Sequence, residues 1–244
     1  MSKETGLGAG FFLDGIDLSG DTRAMESISK SLGMFEVPGI NRFAMERLPG
    51  QLDGAINWTS YFNPTNAHLA LRTLPRTDRI ATYMHKQTVL GTPCASIVAK
   101  QINYDPTRDQ QGGLTAKVES LANANWLDWG FSLTQGKRAD TTATNGTGVD
   151  FLAAGVFGLQ AYLQVFSFTG TSCTVTLQSA TTLGGSYTNI TGGAFAPASA
   201  ISSQRIATAR NGTQNQFIRA ITSGTFSQCT FVVACTVNET DMTI

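Results

Sequence analysis

TSCTVTLQSA, residues 171–180, sets Cys173, Val175 and Leu177 against Thr174, Thr176 and Gln178. Apolar and polar residues alternate with a period of two, which is the pattern of a β-strand with one buried face. Phe231, Val233, Cys235 and Val237 repeat it inside SQCTFVVACTVN. LQAYLQVFSFTG, SYTNITG, QRIATA and QFIRAITSG are further short runs, set apart by Gly, Ser and Asn. Six or more short strands at near-regular spacing predict an all-β sandwich or jelly roll over residues 151–244.

Working back from that region, the composition changes near residue 140. Fourteen of the seventeen bases and fourteen of the seventeen acids precede it, whereas residues 151–244 carry only Arg205, Arg210, Arg219, Glu239 and Asp241. ADTTATNGTGVD, residues 139–150, has no apolar periodicity and reads as a linker. The expected layout is an arm at 1–20, a β domain at 21–138, the linker at 139–150 and the sandwich at 151–244.

In the first part, SGDTRAMESISKSL places Met25, Ile28 and Leu32 at i, i+3 and i+7, which predicts a short amphipathic helix. NPTNAHLALRTLP predicts a second one. Asn63 suits the N-cap, Pro64 suits the first helical position, Ala67, Ala70, Leu71 and Leu74 share a face, and Pro75 ends it. GAINWTSYF alternates Ile56, Trp58, Ser60 and Phe62 against Asn57, Thr59 and Tyr61 and predicts a strand. DRIATYMHKQTV, CASIVAKQINYD, GGLTAKVESLANA and WLDWGFSLTQG predict more strands. The fold class is therefore mostly β, in α+β style, with a helix packed on the first sheet.

Seventeen bases balance seventeen acids, so there is no overall field to draw nucleic acid or an anionic membrane. Charged residues make up 14% of the chain, well below the usual quarter, which favours a surface partly covered by partner subunits. Cys94, Cys173, Cys229 and Cys235 lack CxxC spacing and read as small buried hydrophobes, and Cys173 could pair with Cys229 in an oxidising compartment. No leader-like apolar stretch opens the sequence and no run reaches 18 apolar residues, so a cytoplasmic site of synthesis is expected. The five N-x-[ST] triplets, at Asn57, Asn145, Asn189, Asn211 and Asn238, then follow from composition alone.

No constellation for catalysis emerges. His68 and His85 stand apart from each other and from any Cys, so neither begins a metal site. No G-x-S-x-G elbow exposes a serine, and GLGAG at 6–10 lacks phosphate-loop spacing. Asp105 and Asp109 in NYDPTRDQQGG read as a hairpin tip with Asp–Arg pairing rather than a calcium loop. Trp126 and Trp129 suggest a stacking platform, but a spacing of three puts them on opposite strand faces, with one in the core. The chain is expected to be no enzyme and to use no cofactor or metal.

FEVPGINRFAMERLPGQLDGAINWTSYFNPTNAHLALRTLP, residues 35–75, resembles the tail tube (major tail) proteins of long-tailed bacteriophages. The matching positions are Val37, Arg47, Gly50, Asp53, Gly54, Trp58 and Phe62, followed by the helix opened by Pro64. KQINYDPTRDQQGGLTAKVES and LDWGFSLTQGKR are similar to the strands that follow in that family, so the likeness spans roughly residues 10–140. The resemblance implies a tail-tube-like β-sandwich or barrel whose subunits form rings, with rings stacked into a conduit for phage DNA. It implies partners that are identical subunits and other tail proteins, DNA passing without sequence-specific contact, and a place in the virion tail. Arg47, Gly50, Asp53, Gly54, Trp58 and Phe62 become candidate assembly residues, with LPGQLDG as a turn shaping the contact with the next subunit. Alternatives are a capsid decoration or head–tail joining protein and, from another class, a carbohydrate-binding module.

Overall fold

The computed structural model describes residues 3–241. In chain order the strands are β1 (Gly10–Leu13), β2 (Ile16–Asp17), β3 (Thr22–Glu36), β4 (Arg47–Tyr61), β5 (Arg79–Met84), β6 (Pro93–Gln101), β7 (Asp105–Arg108) and β8 (Leu114–Ala122). There follow β9 (Asp128–Ser132), β10 (Arg138–Asp140), β11 (Val149–Asp150), β12 (Leu159–Ala180), β13 (Thr188–Ala194), β14 (Ser202–Ala207) and β15 (Phe217–Val237). One helix, α1 (Ala67–Leu71), lies between β4 and β5. The protein is mostly β. Two compact units form: residues 1–20, 79–96 and 128–244 make the first, and residues 21–78 and 97–127 make the second.

The first unit is built on one antiparallel ribbon. β12 and β15 pair from Leu159↔Val237 to Ala180↔Phe217. The short strands predicted on either side of Gly170 and Gly224 are in fact continuous strands of 22 and 21 residues. Those two glycines hold φ of 146° and 119°, and the register shifts around Gly170, so they mark a bend within each strand rather than its end. The bend folds the ribbon over. β10 pairs with Cys229–Phe231, yet Arg138 Nη1 donates to Ala220 O at 2.9 Å and Thr222 Oγ1 donates to Asp140 Oδ2 at 2.7 Å. Straight strand would put Thr222 about 23 Å from Cys229 and Ala220 about 36 Å from Phe231, so those contacts require the two halves to face each other as layers. Leu163, Val175, Leu177, Ile218, Phe231 and Val233 fill the core between them.

The compositional break at 139–150 is therefore not a break between units. β10 and β11 pair with β15, and Asn145 bridges Ile221. Polar composition misled the reading because short edge strands need little apolar sequence when their partner supplies the core. The stretch read as an arm is likewise held in the sheet. β1 pairs with β5, and Phe11, Phe12 and Leu13 are buried. Asp14 and Gly15, at φ 49° and 75°, close the β1–β2 hairpin in the manner of a type I′ turn. Asp14 also receives Arg79 Nε at 2.8 Å.

In the second unit β4 lies between β3 and β8, and β7 pairs with β8. The helix predicted over Met25, Ile28 and Leu32 is instead strand β3. Met25 faces Trp58 and Ile28 faces Ile56, which share the buried face, because a bulge between Met25 and Ser27 absorbs the odd residue. A spacing of three thus arose from a bulged strand, and the β-branched Thr22 and Ile28 suit that conformation. The second predicted helix shrinks to Ala67–Leu71, with Asn66 at its cap position. Asn63 and Asn66 donate their amides to the two Asp21 carboxylate oxygens at 2.9 and 2.7 Å, which delays the helix by one turn. Ala67, Ala70 and Leu71 are its buried residues.

Candidate assembly interface

LPGQLDG does not form a turn. It is the first half of β4, paired with β3 from Glu36↔Arg47 to Lys30↔Gly54, whereas β8 reaches β4 only from Ala55 onward. Pro49, opposite Met34, is tolerated because its other side meets no strand. The turn of the hairpin is the ten residues 37–46, closed by Val37 N–H to Glu46 O at 2.9 Å and by Arg42 N–H to Gly39 O.

The six candidate residues divide by depth. Arg47 is exposed and pairs with Glu36 across the hairpin at 3.3 Å, and Asp53 accepts the N–H of Gly54 at 2.7 Å, so both are satisfied within the chain. Gly50 lets the strands meet, since a Cβ there would stand 2.9 Å from Phe35. Gly54 is tighter: a Cβ would stand 2.7 Å from the Leu127 backbone nitrogen. Trp58 is fully buried. Phe62 packs its ring 4.7 Å from His68, whose Nδ1 lies 3.0 Å from Tyr104 Oη. Trp58, Gly54 and Gly50 therefore shape the sheet, and Arg47 and Asp53 reach its surface.

What the sequence reading missed lies between them. From residue 29 to residue 49 every side chain is exposed. Leu32, Met34, Phe35 and Leu48 on the strands, and Ile40 and Phe43 at the tip, are large apolar groups in water, the last two fully so. Phe35 and Leu48 stand directly opposite each other on one face and Met34 lies on the other, and large apolar groups left exposed together in this way mark an interaction surface. Among the described residues no strand other than β4 pairs with β3, which leaves one edge of a 15-residue strand open. Gly, Pro and Asn around Ile40 and Phe43 broke any periodicity that could have flagged them.

The first unit carries a second apolar feature. A pocket of about 380 Å³ is lined by Trp129, Phe131, Phe151, Leu152, Val156 and Glu239 among others. Phe131 and Phe151 meet edge to face at 5.4 Å, while Trp129, Leu152 and Val156 remain 44%, 79% and 54% exposed. Trp126 precedes β9 and is half-buried while Trp129 is exposed, so the tryptophans neither share a strand nor place one ring in the core as the spacing suggested.

The remaining candidates have local partners. His85 Nε2 and Lys86 Nζ lie 3.1 and 3.0 Å from Glu4. Gly10 of GLGAG begins β1. Asp109 closes the β7–β8 hairpin by accepting Gly113 N–H at 2.6 Å, and Asp105 takes the Asn103 amide in place of an arginine. Among the described residues no group of three His, Cys, Asp or Glu could hold a metal ion, and no helix is long and apolar enough to cross a membrane. All four cysteines are free and buried. Burial raises the Cys94 and Cys235 thiol pKa values, and the contact between Cys173 and Cys229 lowers the first and raises the second. Tyr162, its pKa raised by burial and by Asp128, donates to Asp128 at 2.5 Å and accepts from Arg205 at 3.2 Å, a satisfied polar chain in the core.

No protein-family model and no curated protein matches the chain. Among solved structures it is similar to the Dit protein (gp 19.1) of phage SPP1, a hub protein of the adsorption apparatus in phages that infect Gram-positive bacteria. The TM-score is 0.34 at 11% identity, covering 93% of this chain and 98% of that one. The likeness is distant.

Proposed function

We propose that this protein is a structural subunit that tiles with copies of itself, of the tail tube kind found in long-tailed phage virions, and that it catalyses nothing. The observation that carries the reading is the β3–β4 hairpin, with its open 15-residue edge and its apolar distal half in water. An exposed, long, partly apolar edge is a template for another strand, and a free monomer that kept it bare would aggregate. β7, four residues long, is a second and shorter edge beside the first part of β8, whose last part pairs instead with β6. A sheet with two different free edges joins head to tail, and such contacts close into rings where the rotation allows. Stacked rings would form the conduit, and a chain of zero net charge would let DNA slide without holding its phosphates. The virion tail as its location rests on the sequence resemblance over residues 10–140.

The test is assembly. At rising concentration the purified chain should pass from monomers to rings or tubes in negative stain and in sedimentation. A Leu32→Lys, Met34→Lys chain, charged along the open edge, should keep its circular dichroism and lose assembly. A wild-type chain that stays monomeric at high concentration would refute the reading.

A further inference from the structure

The hairpin tip and the aromatic pocket are both apolar surfaces left in water, one in each unit. The tip presents Ile40 and Phe43, each fully exposed, with Arg42 between them. The pocket has a floor of Phe131 and Phe151 and walls of Trp129, Leu152 and Val156, with the exposed Glu239 carboxylate at its lining. Its volume of about 380 Å³ takes a pair of large side chains, being at the lower end of the range for ligand sites. Leu152 is held at φ 69°, a conformation unfavourable for leucine, with its side chain 79% exposed. Its N–H donates to Asp150 Oδ1 at 2.7 Å, so the turn at Asp150 holds this conformation and leaves the apolar group in water.

We propose that the hairpin tip of one copy seats Ile40 and Phe43 in the Trp129–Phe151 pocket of a second copy, with Arg42 set against Glu239. The inference rests on the reading of the chain as a self-assembling subunit and names the contact it makes. Each copy offers one tip and one pocket, which makes the contact head to tail and repeatable along a series. Apolar side chains in the pocket supply affinity, and the Arg42–Glu239 pair at its rim selects the partner's orientation. The occupant is a second copy rather than a soluble ligand because the complementary group, a cation flanked by two apolar side chains, is already present on the chain.

Charge reversal tests this without touching either core. Arg42→Glu and Glu239→Arg should each raise the concentration needed for assembly by at least about tenfold. The double reversal should return to within about threefold of wild type, since it restores the pair. In parallel, a Phe43→Cys chain mixed with a Val156→Cys chain under a mild oxidant should give a crosslinked heterodimer, the native thiols being buried. Circular dichroism checks that every variant is folded. If wild-type rings form but neither rescue nor crosslink appears, the tip-in-pocket contact is wrong and the edge-tiling reading stands. Crosslinking of Phe43→Cys chains only to one another would overturn it in favour of tip-to-tip contact. A soluble glycan that fills the pocket without affecting assembly would overturn it too. If wild-type chains never associate, both readings fall.

Discussion

Replacing residues 37–46 by Asn-Gly separates the fold of the hairpin from its use. Glu36 and Arg47 are already in register, so a two-residue type I′ turn can join them directly. The excised residues include Ile40, Arg42 and Phe43, all exposed, so their loss removes little that the isolated chain depends on. Shortening the loop from ten residues to two lowers the closure cost by about 1.5 × 0.59 × ln 5, or ~1.4 kcal/mol. The lost Val37–Glu46 backbone bond returns about 1 kcal/mol of that. The monomer should therefore unfold in urea within about 1 kcal/mol of wild type, with an unchanged slope. Assembly, followed by sedimentation velocity over a concentration series, should fall sharply. Stability and assembly then respond differently, which no general loss of structure can imitate. Rings or tubes formed by the shortened chain at the wild-type concentration would refute the argument that the tip is an interface.

Two further outcomes test the fold and its charges. Gly15→Ala, at φ 75° with a Cβ 2.4 Å from Val165 O, should cost about 1–3 kcal/mol in urea, whereas Gly184→Ala, with open space around it, should cost under about 0.5; equal midpoints would show that the Asp14–Gly15 turn is not constrained. Burial raises the Asp17 pKa, but hydrogen bonds from Lys137, at 2.5 Å, and from Ser19 outweigh it and hold the carboxyl below its ordinary 3.8. The stability this gives is complete above that value and is lost as pH falls through the lower folded value, so Lys137→Met should flatten the loss below about pH 4 and leave the slope between pH 7 and 5 alone; parallel acid limbs for the two chains would contradict it.

Much of the fold was legible where one strand face met one core. Cys173, Val175 and Leu177 are buried as their alternation predicts, as are Ile56 and Trp58. Legibility failed where pairing broke the period. Bulges in β3 gave Met25 and Ile28 a helical spacing, and Gly170 and Gly224 resembled strand ends because a bend and a turn ask for the same residue. The Asp14–Gly15 turn is a legible hairpin signal in FFLDGIDL, an Asp-Gly pair flanked by apolar residues. Of the candidate interface, Arg47 and Asp53 entered through the resemblance to tail tube proteins, and both are exposed. Ile40, Phe43 and the pocket were not legible, because exposure of an apolar side chain depends on what the rest of the chain fails to cover.

The open edge of β3 also limits where association can occur. Its proximal half carries Arg23, Glu26 and Lys30 in exposed positions, while bulges interrupt the ladder in both halves, after Thr22, Met25 and Leu32. Charges and bulges are the devices that keep a strand edge from pairing indiscriminately. The distal half lacks a charge between Ser31 and Phe35 and exposes Leu32, Met34 and Phe35 there. Contact with a neighbour should therefore concentrate on the part of the hairpin farthest from Trp58 and Ile56, where β4 has lost its second partner β8 as well. That part contributes least to the fold of its own chain, so partner strands can engage it without competing with the core. If the chain tiles as proposed, charges on one half of the edge and apolar groups on the other should favour one register of association over the rest.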